Sequence, residues 1–325
     1  MPFLDKLRIL DLAIRLKPSN LAIIVYHNVS FNRSCNQTFE EPFPAALIEK
    51  QIISLIQNGY TVTSLRDALN LLNKGVNKKI AVLTFDDGYR GVYESAYPIL
   101  KKYHIKATLY VTAGFIKFKT APWWEQLYYI FNKAKHVGKT AELNQLISQM
   151  EGKQPIQNTR DVSIFQRSLI TKIVRVMDVS ELKSMIYMFS KKLGINIPED
   201  LYHTTMLSLD EVKELAEYGF EIGGHGLWHV NLTNLSRKRL MEEVEMSLDF
   251  VKTLCEDTYT FAYPFGLYNG VVIKAVVHKG FKAAVTLDPR TNRLPLTNVY
   301  VLGRVPPYKF GLKDIASLKY SLVRG

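Results

Sequence analysis

Cysteine is nearly absent from this 325-residue sequence, with only Cys35 and Cys255, far apart. That excludes a disulfide framework and a cysteine-based zinc site, and it permits a reducing compartment. No apolar run approaches the roughly 18 residues needed to span a bilayer as a helix. Long charge runs are missing too, because basic residues fall in short pairs such as Lys78-Lys79, Lys101-Lys102 and Lys191-Lys192. The net charge of +12 suits an anionic lipid, a phosphate-bearing substrate or an acidic glycan. Without a nucleic-acid motif it does not lead to the expectation of a nucleic-acid partner. The first 17 residues hold no uninterrupted hydrophobic stretch, since Asp5, Lys6, Arg8, Asp11, Arg15 and Lys17 break it. No secretory signal is read there, and a cytoplasmic location is expected. Phe3, Leu7, Leu10 and Ile14 share one helical face, which suits a helix docked on the fold and also suits peripheral contact of residues 1–17 with an inner membrane face.

What is present fits one large α/β unit. At 47% hydrophobic residues, the chain can bury a single extensive core. Short apolar runs rich in β-branched residues, at 21–26, 80–85, 106–112, 220–224, 258–263, 281–286 and 299–305, alternate with helical patterns, as in parallel βα units. Pro44 to Ile56, Ser64 to Leu72 and Ser208 to Tyr218 read as helices, the last opening on the capping box Ser208-Leu209-Asp210-Glu211. Residues 121–203 break the rhythm. Leu127, Ile130 and Phe131, then Leu143, Leu146, Ile147 and Met150, then Phe165, Leu169, Ile173 and Val176, then Leu182, Met185, Ile186 and Phe189 give helical periods, read as a helical insertion. The expected organisation is an N-terminal amphipathic helix over 1–19 and one unit over 20–325. Pro122-Trp123-Trp124-Glu125 opens the insertion, with two tryptophans that suit stacking on a sugar ring or anchoring to the core.

Two motifs carry chemistry. Phe85-Asp86-Asp87-Gly88 ends the run Ile80-Ala81-Val82-Leu83-Thr84 and sets adjacent carboxylates where a buried strand opens into a loop. Neighbouring aspartates repel each other and resist burial, so a cation or a reaction that uses their charge rationalises the pair, although Asp-Asp-Gly also serves as a plain turn. His225-Gly226-Leu227-Trp228-His229 follows a second apolar, glycine-rich stretch, and its spacing lets both imidazoles face one metal on a helical turn. Two Asp and two His can make a metal site with a base beside it.

Together with Phe261-Ala262-Tyr263-Pro264-Phe265-Gly266, these motifs resemble the first three of the polysaccharide deacetylases, carbohydrate esterase family 4 or the NodB-homology domain. The likeness covers about residues 20–115 and 205–308. It implies a distorted (β/α) barrel, here of about seven parallel strands with the helical insertion 121–203, and metal-dependent removal of acetyl groups from sugars. It further implies that Asp87, His225 and His229 hold one divalent ion, that Asp86 is the base, and that the Phe265 backbone N–H, with Tyr263 and Pro264 beside it, faces the oxyanion. Zinc is the default for such ligands, while cobalt, nickel, iron or manganese can occupy them.

The chain departs from the commonest family pattern at three places. No histidine occurs in Leu302-Gly303-Arg304-Val305-Pro306, the late stretch that usually brings the general acid. A strand ending in Tyr26-His27 resembles a subgroup with an N-terminal Tyr-His motif, which makes His27 the candidate acid. Ala262 stands where many members carry an arginine that orients the base, and Arg304 is the candidate replacement. Gly226 stands where a Ser or Thr usually follows the first histidine, and losing that hydroxyl is expected to loosen the metal by about 10-fold or more. The activity expected is N-deacetylation of an N-acetylhexosamine-containing glycan or its lipid-linked precursor. The alternatives are an O-acetyl carbohydrate esterase and a catalytically silent glycan-binding barrel.

Overall fold

A computed structural model describes residues 3–31, 38–151, 176–255, 259–308 and 314–324. The helical pattern read at Phe165, Leu169 and Ile173 lies outside them, as does Cys35. The strands are β1 (Asn20–Tyr26), β2 (Val29–Ser30), β3 (Phe43–Pro44), β4 (Thr61–Thr63), β5 (Ile80–Phe85), β6 (Thr108–Val111), β7 (Glu221–Gly224), β8 (Thr260–Ala262), β9 (Ala283–Val285) and β10 (Asn292–Arg293). In the main sheet β10, β1, β5, β6, β7, β8 and β9 follow one another, with β4 also on β5. All of its pairings are parallel except that of β10 with β1. This is the distorted barrel of seven parallel strands, with β10 as an antiparallel addition.

The sequence explains the strands that line the site. β1 and β5 are buried along their whole lengths, so both read as continuous apolar runs, as expected of parallel strands covered on both faces. Their register aligns Tyr26 with Phe85, and the Asp86 amide continues the ladder by donating to the Tyr26 carbonyl at 2.9 Å. His27 and the aspartates therefore leave the sheet side by side. Leu21, Ile23, Ile80, Val82, Ala262, Ala283 and Val285 share an inner core, whereas Ala22, Ile24, Ala81 and Leu83 join the outer layer. That is the two-residue alternation of strands.

The strand expected at 299–305 forms two single bridges instead, Leu302 to Val285 and Val305 to Ile24. Between them Arg304 gives its amide to the Asp288 carbonyl at 3.0 Å and Gly303 gives its own to Asn292 Oδ1 at 2.8 Å. Pro306 follows directly and has no amide to extend a ladder. The segment still bridges β9 and β1, and it delivers Arg304 inward.

The helices are α1 (Phe3–Leu16), α2 (Ala45–Gln57), α3 (Leu65–Asn73), α4 (Tyr97–Lys102), α5 (Ala113–Lys117), α6 (Trp123–His136), α7 (Thr140–Glu151), α8 (Val179–Leu193), α9 (Leu201–Thr205), α10 (Leu209–Tyr218), α11 (Arg237–Lys252), α12 (Gly270–Lys279) and α13 (Ile315–Arg324). The capping box read at Ser208 is formed with Glu211 at the start of α10. A second one, Asp178 with Glu181, opens α8, which closes on left-handed Gly194. Between β6 and β7 the described chain forms helices α5 to α10 and no strand. α1 turns Ile14 into the core beside Leu318 and Leu322 of α13, with Asp11 paired to Lys319 at 2.7 Å. Ile9, Leu12 and Leu16 are left on its outer side. Among the described residues no helix is long and apolar enough to cross a membrane.

Candidate metal centre and active site

At the end of β5 the backbone turns left-handed, with φ of 72° at Asp87 and 91° at Gly88. An L-residue with a side chain resists that region, and the turn sends the two adjacent carboxylates to different partners. Asp86 faces Arg304 in a two-pronged pair, Oδ1 to Nη1 and Oδ2 to Nη2, both at 2.7 Å. Arg304 is itself fully buried. Its Nε donates to the Thr286 carbonyl at 2.8 Å, and its guanidinium lies over the Tyr110 ring at 5.9 Å. Burial opposes the charge on Asp86, but Arg304, with help from His225 and His27, holds its carboxyl below the ordinary carboxylate value.

Asp87 faces the histidines. Its Oδ1 lies 3.4 Å from Nε2 of His225 and 3.3 Å from Nε2 of His229. The two imidazoles do not meet on a helical turn as their spacing predicts. They sit at the ends of a loop in which Gly226 has φ 75° and His229 φ 53°. The cause is Glu243 of α11, whose Oε2 accepts the amides of Leu227 at 2.8 Å and Trp228 at 3.1 Å. Those amides are thereby withdrawn from helical bonding. His225 Nδ1 is 2.7 Å from the Ala262 carbonyl, an acceptor only, so Nδ1 carries a proton and Nε2 is the nitrogen turned toward Asp87.

Burial lowers the His229 pKa to about 3 against the pull of Asp87, which leaves a neutral imidazole. Burial also disfavours charge on His225, yet Asp87 and Asp86 together raise its pKa. Asp87, though buried, is held well below the carboxylate range by His229, His225 and His27. Asp87 Oδ1 and His229 Nδ1 are buried without a hydrogen-bond partner among the described residues. Ligand atoms of Asp87, His225 and His229 all lie within 4.8 Å of one another. One carboxylate oxygen and two imidazole nitrogens fit a divalent ion that accepts mixed N and O donors, with positions left open.

The cluster lies in the wall of a cavity of about 380 Å³, lined also by His27, Glu40, Trp123, Trp124, Tyr263 and Phe265. His27 is half-buried there, one residue beyond β1. Phe265 has a left-handed backbone with φ 59°, and its ring meets His229 edge-on at 4.3 Å. Tyr263 gives its hydroxyl to the Tyr300 carbonyl at 3.0 Å, behind the cavity wall.

This geometry agrees with a match in sequence: the profile of the polysaccharide deacetylase family aligns with residues 73–151 and 150–284. The chain belongs to the polysaccharide deacetylase family. YxkH of Bacillus subtilis is 24% identical over 276 residues, covering 84% of this chain and 66% of YxkH. The poly-beta-1,6-N-acetyl-D-glucosamine N-deacetylase of Staphylococcus aureus is 22% identical over 268 residues, covering 79% of this chain and 64% of that protein. The chain thus spans just under two thirds of the length of these curated relatives. In fold it is similar to the Streptococcus pyogenes deacetylase PplD, with a TM-score of 0.57, 18% identity, and coverage of 89% of this chain and 93% of the other.

In this family member the tryptophans are built into the wall. Trp124 gives Nε1–H to the Tyr89 hydroxyl at 2.7 Å and meets His229 edge-on at 4.8 Å. Trp123 packs against Trp124 at 5.0 Å, and both are buried. Tyr89 in turn donates to Glu125 Oε1 at 2.6 Å, while Glu125 Oε2 accepts the Phe39 amide at 2.9 Å. Burial raises the Glu125 pKa to about 7. Tyr89, Glu125 and Glu243 are supports that sequence reasoning did not single out. Glu243 carried a usable signal, because it lies on the α11 face of Leu240, Val244, Ser247 and Val251, where a carboxylate is out of place unless it has partners.

Proposed function

We propose that this chain is a divalent-metal-dependent hydrolase that removes N-acetyl groups from an N-acetylhexosamine-containing glycan. The supporting observation is the convergence, in one cavity, of Asp87, His225 and His229 with the buried Asp86–Arg304 pair beside them. When bound, a divalent ion, with zinc the first choice, would acidify a water and polarise the acetyl carbonyl. Asp86, kept ionised by Arg304, takes the proton of the attacking water. The Phe265 backbone N–H donates to the oxyanion that forms on the acetyl carbon. As the C–N bond breaks, His27 gives a proton to the departing sugar amine, so that acetate and a free amine result. Arg304 orients Asp86 from the late segment, in place of an arginine at position 262.

The amide reading is preferred to an ester reading because the Staphylococcus aureus relative bears the name of an N-deacetylase acting on poly-beta-1,6-N-acetyl-D-glucosamine. A lipid-linked form of the glycan belongs to the same proposal, supported by the net charge of +12, which suits a phosphate-bearing carrier. The test is acetate release from N-acetylglucosamine oligomers, lipid-linked N-acetylhexosamines and O-acetylated xylan, comparing zinc-reconstituted protein with Asp86→Asn. Release from the amide substrates that the variant lacks is the expected result. Release from xylan alone moves the assignment to an esterase, and sugar binding without any release moves it to a silent barrel.

A further inference from the structure

The two ends of the parallel series, β9 and β1, do not pair with each other among the described residues. The segment from Leu302 to Val305 lies between them. Leu302 exchanges bonds with the β9 side, giving its amide to the Ala284 carbonyl at 3.0 Å and accepting the Thr286 amide at 2.8 Å. Val305 does the same with β1, giving its amide to Ile23 at 2.6 Å and accepting that of Val25 at 3.2 Å. Gly303, between them, meets a side chain instead. Its amide donates to Asn292 Oδ1 at 2.8 Å, and its carbonyl accepts Asn292 Nδ2 at 2.9 Å.

A primary amide carries an acceptor and donors side by side, the same pair that a residue of a neighbouring strand presents. Asn292 therefore fills the place of one strand residue. It is buried, its own backbone pairs with Leu21 at the start of β1, and Nδ2 also donates to the Leu21 carbonyl at 3.2 Å. The fit around Gly303 is close. A Cβ there would lie 2.3 Å from Arg290 Cγ and 2.9 Å from the Asp288 carbonyl oxygen, so the segment has no room to settle toward that loop. The next residue is Arg304, whose guanidinium reaches Asp86 through two directional bonds. Such a fork tolerates little displacement of the backbone that carries it.

We propose that Asn292 is a positioning residue of the active site: by taking the place of a strand at Gly303 it fixes where Arg304 enters the barrel and, through Arg304, the direction of the Asp86 carboxylate. The proposal rests on the deacetylase reading above, in which Asp86 is the base. Asn292 is not among the residues lining the cavity, so its removal acts on the chemical step and leaves substrate and metal binding in place.

The experiment compares wild type, Asn292→Ala, Arg304→Met and the double variant, each loaded with zinc, on the β-1,6-linked pentasaccharide of N-acetylglucosamine. Asn292→Ala is expected to lower kcat about tenfold or more, the scale of a small misplacement of a reacting group, with KM and zinc affinity within about threefold of wild type. In the Arg304→Met background the same substitution should change kcat by less than about threefold, because the group it positions is gone. Equal losses in both backgrounds, an unchanged kcat, or zinc affinity falling in step with kcat would each overturn the proposal. Asn292→Ser replaces Asn292→Ala if the latter does not fold. If wild type releases no acetate, the deacetylase reading falls, and urea unfolding of the same four proteins still decides the coupling. A loss on removing Asn292 that shrinks in the Arg304→Met background supports the positioning of Arg304, and an equal loss in both overturns it.

Discussion

Replacing Arg304 by Met should reverse the electrostatics of the Asp86 carboxylate while leaving the β5 backbone in place. Both members of the pair are buried to within 1% of full exclusion from solvent, and each carboxylate oxygen meets a guanidinium nitrogen at 2.7 Å. Removing one partner of a buried pair leaves an uncompensated charge and costs about 3–5 kcal/mol of stability. The sign with pH follows from the direction of the shift. In the wild type Asp86 is held below its ordinary value near 3.8. Its contribution is therefore present above that value and is lost as pH falls through the lower folded value. In the variant, burial, the largest influence on this group, is opposed only by His225 and His27, so the carboxyl titrates higher. The stability gap between the two proteins should then widen as pH rises through the acid range. Urea unfolding of metal-free protein at pH 4, 5.5 and 7 measures this gap. The double variant Asp86→Asn/Arg304→Met, which removes the stranded charge as well, should regain about half of the loss or more. A gap that stays constant with pH, or a double variant no more stable than Arg304→Met, would refute the reasoning.

Three further outcomes are expected. Zinc added to chelator-treated protein should raise the unfolding free energy by about 2.7 kcal/mol at a hundredfold excess over Kd, and His229→Ala should abolish that gain; equal shifts in both proteins would remove the metal assignment. Glu243→Ala should weaken metal binding about 10- to 100-fold by freeing the Leu227 and Trp228 amides, whereas Glu243→Gln, which keeps an acceptor oxygen, should not. Burial raises the Glu243 pKa to about 7 from 4.5, so its contribution is full below pH 4.5 and lost as pH rises through 7; the Gln variant should flatten stability profiles between pH 5 and 8. Gly226→Ser should destabilise by about 1–2 kcal/mol without tightening metal binding, because φ there is 75° and a Cβ would sit 3.3 Å from Glu243 Oε2; a tighter site in isothermal titration would show instead that a hydroxyl is missing.

That last expectation revises the sequence reading of Gly226. The missing hydroxyl suggested a loosened site, but a carboxylate 17 positions later in the chain takes up the loop amides. Long-range substitutes of this kind leave almost no local trace. Strands buried on both faces, such as Ile80 to Phe85, are legible because continuous apolar runs have few other uses. Thr61–Thr63 was missed because a three-residue strand with an exposed first position gives no periodicity to count. Phe39 and Glu40 reach the cavity through the Glu125 tether, a contact across 86 positions that no spacing rule anticipates. Arg304 was noticed only through a family comparison at position 262, since an arginine in an apolar segment shows neither its partner nor its direction.

The loops bearing the candidate ligands are not free-standing. Leu207 gives its amide to the Gly88 carbonyl at 3.0 Å and Arg90 gives its own to Thr205 at 2.9 Å, while Ala113 and Gly114 donate to Gly226 and Leu227 at 3.1 and 2.8 Å. The Asp87 loop is thus stitched to the backbone just before α10, and the histidine loop to the start of α5, just after β6. An engineer who exchanged the chain between β6 and β7 for another, as one exchanges a surface loop, would cut the seams holding Asp87 and the two histidines in register. Descent with modification faces the same limit: a change at either junction touches the centre itself.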